Sequence, residues 1–297
     1  MFRGSFVALV TPFKDGAVDE EALESLINWH IEMGTHGVVA CGTTGESPTL
    51  SHEEHNRVID ATVKIVNGRV PVIAGTGSNS TSEAIDMTRH ATNAGADAAL
   101  LVNPYYNKPT QEGIYQHYKA IAEEAPIPQI IYNIPGRTAS TVSVDTIVRL
   151  SAHKNIVGIK DAVGDLAQTA EIIARCGAGF SVLSGDDALT LPMISLGGAG
   201  VISTTANVAP DRMSALADAA LAGDFDRART LHYELLDLMK IMFVETNPIP
   251  VKTALAMMGK VCEEFRLPLC VMSQMNREKL QATLTKMGLL EEAASGA

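Results

Sequence analysis

A repeat constrains this chain more than any other feature. Short runs rich in β-branched residues recur along it, each ending near Gly, Asn, Pro, Asp or Thr and followed by a helix-like segment. The runs are Val7–Val10, Val38–Cys41, Val72–Ala74, Ala99–Val102, Ile130–Tyr132, Ile156–Lys160, Val182–Ser184 and Gly200–Ser203. Their starts lie about 18 to 34 residues apart, the length of one strand-loop-helix-loop unit. The runs are continuously apolar rather than alternating, the pattern of parallel strands covered on both faces. Eight such units predict an α/β fold, a (β/α)8 barrel over residues 1–224. An open doubly wound sheet would need a glycine-rich first turn, and Leu9-Val10-Thr11-Pro12 follows the first run instead. The stretch from Gly75 to Ser80 is only a partial dinucleotide fingerprint and reads as a flexible turn.

Helix signals fill the gaps. Asp19 precedes a segment with Leu23, Leu26, Ile27 and His30 on one face, and Ser51–Glu54 and Ser80–Glu83 both fit capping boxes. Gly34, Gly95 and Gly223 stand where helices should stop. After Gly223 no strand signal recurs. Residues 225–243, 250–264 and 274–289 read as helices, so residues 225–297 form a helical appendage packed on the barrel or on a neighbouring subunit, with a frayed tail from Glu291.

Composition excludes several classes of function. Lys plus Arg number 23 against 34 Asp plus Glu, a net charge of −11 with no basic cluster, which argues against nucleic acid. The same excess repels small anions, so an anion site must be locally positive. No run approaches the ~20 apolar residues that span a bilayer, which argues against a membrane. The four cysteines are scattered and unpaired in pattern, and the start of the chain carries no targeting run, so a cytoplasmic location is expected. His52 and His55 share a helix face without a third metal ligand, and no GxSxG elbow is present.

In such barrels the chemistry sits at the C-terminal ends of the strands. Lys160 ends a run whose other members should be buried. An ammonium aimed into an apolar mouth is disfavoured, and the free amine is a nucleophile suited to a Schiff base with a carbonyl substrate. The alternative is a lysine neutralised by Asp161 or Asp187. Gly42-Thr43-Thr44-Gly45-Glu46 offers hydroxyls and converging backbone N–H groups to a carboxylate, or it is an ordinary polar turn. Tyr132 could relay a proton or simply fill the core. Arg137 presents a planar fork for a second carboxylate, or is solvated.

Together these strand ends resemble the pyruvate-dependent class I aldolases of the dihydrodipicolinate synthase / N-acetylneuraminate lyase family. Gly42–Glu46, Tyr132–Thr138 and Gly158–Asp165 carry the resemblance, which runs from Gly4 to Leu290. It implies a lyase without metal or redox cofactor, in which Lys160 forms an imine with pyruvate while Thr43, Thr44 and their amides hold its carboxylate. The derived enamine would attack aspartate 4-semialdehyde, giving 4-hydroxy-tetrahydrodipicolinate on the route to diaminopimelate and lysine. Arg137, which the N-acetylneuraminate branch generally lacks, would hold that second carboxylate. Tyr132, Thr43 and Tyr106 would carry protons, Tyr106 from an adjacent subunit of a homotetramer built as a dimer of dimers. Backbone groups of Gly185 and Ile202 complete the expected contacts.

The resemblance also implies a second site, at which allosterically inhibited members bind L-lysine between subunits. Its residues match Ser47, His52, His55, Asn79, Glu83 and Tyr105. Helix N-termini would favour the lysine carboxylate and Glu83 an amine. Pro48 departs from the alanine common in inhibited relatives and removes an N–H. Two other readings stay open: a sister aldolase acting on a sugar acid, distinguished at Arg137, and a barrel kept as an amino-acid-binding regulator. A pure binder has no use for a buried amine.

Overall fold

The computed structural model describes residues 2–291. Eight parallel strands close into a barrel: β1 (Gly4–Ala8), β2 (Gly37–Ala40), β3 (Val72–Gly75), β4 (Ala98–Val102), β5 (Gln129–Asn133), β6 (Ile156–Asp161), β7 (Ser181–Ser184) and β8 (Gly200–Ser203). β1 closes the ring, pairing Phe6 with Ile202 of β8 and Val7 with Val38 of β2. Helices cross between successive strands, so both strand faces are covered, which is why the runs read as unbroken hydrophobicity. A short antiparallel ribbon, Phe13–Lys14 with Ala17–Val18, interrupts the first crossover.

Side chains directed inward form one apolar cluster that includes Phe6, Val39, Ile73, Leu100, Ile130, Tyr132, Leu183 and Ile202. Outside the strands, a larger cluster joins the first barrel helices to the C-terminal ones: Leu23, Leu26, Val58, Met213, Leu235, Leu238, Leu255 and Leu280 all belong to it. Each such burial contributes about 1.5–3 kcal/mol, so the C-terminal helices are held by the same core as the barrel.

The first helix, α1 (Glu20–Glu32), starts on Asp19, whose carboxylate accepts from the Ala22 N–H, and buries Leu23, Leu26, Ile27 and His30. The second, α2 (His52–Val66), has a complete capping box between Ser51 and Glu54. The third, α3 (Thr81–Ala94), departs from expectation. Ser80 precedes it without a side-chain cap: its hydroxyl pairs with Ser82 Oγ at 3.1 Å, and Glu83 turns its carboxylate to Ser78 and His52.

Two further boundaries differ. β1 begins at Gly4 and ends at Ala8, not over Val7–Val10. Leu9 and Val10 are buried, but the Val10 N–H donates to the side chain of Asn207 (3.1 Å) rather than to a strand. The helix expected over 250–264 runs from Ile249 to Met257. Gly259, at φ +70°, turns the chain out, and the Lys260 N–H closes back on the Leu255 carbonyl at 2.9 Å. The remaining C-terminal helices are Phe225–Ile241 and Gln274–Lys286. The tail expected to fray lies, beyond Glu291, outside the described residues.

Candidate active site

Lys160 stands near the end of β6, buried, with Tyr132 of β5 beside it in register. Its Nζ lies over the Tyr132 ring, 4.2 Å from the centroid. Neither neighbouring carboxylate serves it. Asp161 accepts from Thr169 Oγ1 (2.7 Å) and the Val163 N–H (3.1 Å), and Asp187 accepts from the Thr205 N–H (2.9 Å) and Oγ1 (2.7 Å). Burial raises the pKa of both acids. The salt-bridged reading of Lys160 therefore fails among the described residues. Gly185 leaves the space the lysine needs: a Cβ there would sit 3.2 Å from Lys160 Cε and 2.7 Å from the Ala162 methyl.

A cavity of about 390 Å³, within the size range of small-molecule sites, opens at Tyr132; Lys160 is not one of its lining residues. Thr43, Tyr132, Arg137 and Thr138 line one part of it. Thr44 is buried behind Thr43, and its Oγ1 accepts from Asn247 Nδ2 at 3.0 Å. The Asn247 carbonyl in turn accepts from Arg137 at 3.0 Å. Ile202 lies in the inner barrel cluster with Tyr132. Tyr106 stands apart: it is 90% exposed, at φ +70°, and does not line the cavity.

The second set of residues lies on the same cavity rather than at a remote place. Ser47, Pro48, His52, His55, Glu83 and Tyr105 line its other part. Asn79 stands just behind, its Nδ2 donating to the Tyr105 carbonyl at 3.1 Å. Glu83 accepts from Ser78 and sits 2.8 Å from His52 Nε2; these two contacts, Ser78 first, hold its carboxyl below the usual range. His55 is buried with Nε2 2.8 Å from the Gly75 carbonyl, and burial lowers its pKa. A neutral ring therefore donates from Nε2 and leaves Nδ1 as a lone acceptor without a partner among the described residues.

Two residues of this network, Asn247 and Lys252, carry no role in the sequence reading. Both lie more than 200 residues from their partners, Thr44 and Glu46, so no local pattern announces them. The usable signal was one charge inside the otherwise apolar helix Ile249–Met257. Among the described residues no group of three or more His, Cys, Asp or Glu is placed to hold a metal ion, and no helix is long and apolar enough to cross a membrane.

Residues 1–287 match the Dihydrodipicolinate synthetase family. This chain belongs to that family. A 4-hydroxy-tetrahydrodipicolinate synthase of Thermodesulfovibrio yellowstonii is 61% identical over 98% of this chain and all of that one. The chloride-inhibited dihydrodipicolinate synthase of Acinetobacter baumannii, solved with pyruvate, is 52% identical, covers 98% of this chain and all of its own, and superposes with a TM-score of 0.96. The enzyme of Cyanidioschyzon merolae, solved with lysine bound, is 40% identical, covers 97% of this chain and 99% of its own, with a TM-score of 0.95. The chain is accordingly an enzyme, a lyase of the class I aldolase type.

Proposed function

We propose that the chain condenses pyruvate with L-aspartate 4-semialdehyde to give 4-hydroxy-tetrahydrodipicolinate in diaminopimelate and lysine synthesis. The observation that carries this reading is a buried lysine amine, without a carboxylate partner among the described residues, over the ring of a tyrosine that lines a cavity with donors at its wall. The pyruvate-bound relative supports the choice of keto acid.

In this scheme Lys160 Nζ adds to the keto carbon of pyruvate and water leaves. The resulting iminium accepts the electron pair freed when a methyl proton departs, giving an enamine. Thr43, Thr44 and their amides would hold the pyruvate carboxylate, offsetting the repulsion of a chain of net charge −11. The enamine carbon attacks the aldehyde, and Arg137 at the cavity wall would bind the second carboxylate through its planar fork. The substrate amine then displaces Lys160 by transimination, closing the ring. Tyr132, Thr43 and Tyr106 would pass the protons, and the backbone of Gly185 and Ile202 would line the floor. No metal or redox cofactor enters these steps.

Tyr106 projects into solvent from one chain, which supports a relay completed across subunits of a homotetramer. The lysine-bound relative supports a regulatory role for the Ser47, His52, His55, Asn79, Glu83 and Tyr105 set, with L-lysine as feedback inhibitor. The Glu83 carboxylate, held by Ser78 and His52, suits an ammonium group, and Pro48 would weaken rather than abolish binding by withholding an N–H. A cytoplasmic location fits this chemistry.

A coupled assay with both substrates, read with and without L-lysine, tests the reading. Turnover suppressed by lysine is expected. Turnover of a sugar acid in preference to this pair would move the chain to the sister aldolases.

A further inference from the structure

Glu46 closes the Gly42–Glu46 turn, and nothing in the chemistry above uses it. It is fully buried and adopts φ +54°, ψ +34°, a left-handed conformation that costs a non-glycine residue energy unless its surroundings impose it. The imposing contacts come from the far end of the chain. Glu46 Oε1 accepts from Lys252 Nζ at 2.5 Å, with both side chains wholly buried, and Oε2 accepts from the Arg266 N–H at 3.3 Å. Lys252 Nζ also lies 4.0 Å from the centroid of the Phe13 ring. Burial lowers the lysine's pKa while the Glu46 charge pulls it back up.

Five residues before Lys252, Asn247 donates to Thr44 Oγ1. One short segment, residues 247–252, thus grips the turn at two of its five positions. From these contacts we infer that Lys252 and Glu46 are positioning residues: their buried ion pair, with Asn247, sets the Thr43–Thr44 turn in the shape that receives the keto-acid carboxylate. This assigns the C-terminal helical region a part in substrate binding and rests on the functional reading above. A buried ion pair is a poor source of net stability compared with apolar packing, but it fixes geometry, and here it fixes a strained residue two positions from Thr44.

The test uses the full-length enzyme, with pyruvate as probe and borohydride trapping as readout, alongside steady-state kinetics with both substrates. Lys252→Met and Glu46→Gln should each raise the pyruvate concentration for half-maximal trapping by about tenfold or more. The KM for the aldehyde should move by less than about twofold, because Arg137 is left alone. The double variant, which leaves no buried charge unpaired, should lose no more than the worse single variant. If a single variant does not fold, Glu46→Asp carries the same readout, since it keeps the charge but withdraws it by one methylene. A folded variant that traps pyruvate at the wild-type concentration, having lost only thermal stability, overturns the positioning role. A wild-type enzyme that traps no pyruvate overturns the functional reading instead, so the two failures are distinguishable.

Discussion

His30 lies on the inner face of α1, fully buried, and neither ring nitrogen meets a partner among the described residues. Burial, with a smaller contribution from the Lys260 charge, lowers its pKa from 6.5 to about 3. Below pH 6.5 the unfolded chain binds a proton that the folded one refuses. The stability this group permits is therefore complete above that value and is lost as pH falls toward 3. His30→Leu should match wild type within about 1 kcal/mol at pH 8 and exceed it by about 2 kcal/mol at pH 5, as 1.5 units of pH at 1.36 kcal/mol each require. Thermal melts at the two pH values check this, and an unchanged difference would contradict it. At this scale the residues at strand ends were legible. Lys160 and Tyr132 announce themselves by ending apolar runs and Thr43 by following one; Thr43 and Tyr132 line one cavity, with Lys160 Nζ 4.2 Å from the Tyr132 ring centroid. Asn247 and Lys252 did not, because their meaning lies in partners 203 and 206 residues away.

Helix starts show how an element-level pattern can hold at one site and fail at another. The Ser51–Glu54 box forms, with the Glu54 N–H donating to Ser51 Oγ at 3.2 Å and the Ser51 N–H to Glu54 at 2.9 Å. The matching pattern at Ser80–Glu83 does not form, because Glu83 finds a hydroxyl and an imidazole closer to hand. Ser51→Ala should therefore cost about 1 kcal/mol, and Ser80→Ala a few tenths, by chemical denaturation. Equal losses would mean that both caps operate. The strands were legible to within a residue or two, except β1. There the Leu9 N–H makes a last bond to the Val39 carbonyl at 3.0 Å and Val10 stays buried after strand pairing has ended, so a hydrophobic run reports burial, not hydrogen bonding. The ribbon of Phe13–Lys14 with Ala17–Val18 was not foreseen, since two-residue strands carry no periodicity to read.

The barrel as a whole was legible because the same strand-then-helix unit recurs eight times, and closure then follows from β1 pairing with β8. Assembly is another matter: Tyr106, a proposed proton carrier, faces solvent away from the cavity in the single chain. If it acts across subunits, two inactive variants should complement. Mixing Lys160→Ala with Tyr106→Phe under conditions that exchange subunits should restore roughly a quarter of wild-type turnover, the fraction of sites that regain both groups. A mixture no more active than its parts would place Tyr106 outside the relay. In the proposed reaction Lys160 carries the substrate. Borohydride reduction in the presence of pyruvate, followed by peptide mass mapping, tests it most directly. One reduced pyruvate per chain is expected, on Lys160, and none in Lys160→Ala. An unmodified Lys160, or label on another lysine such as Lys252, would contradict it.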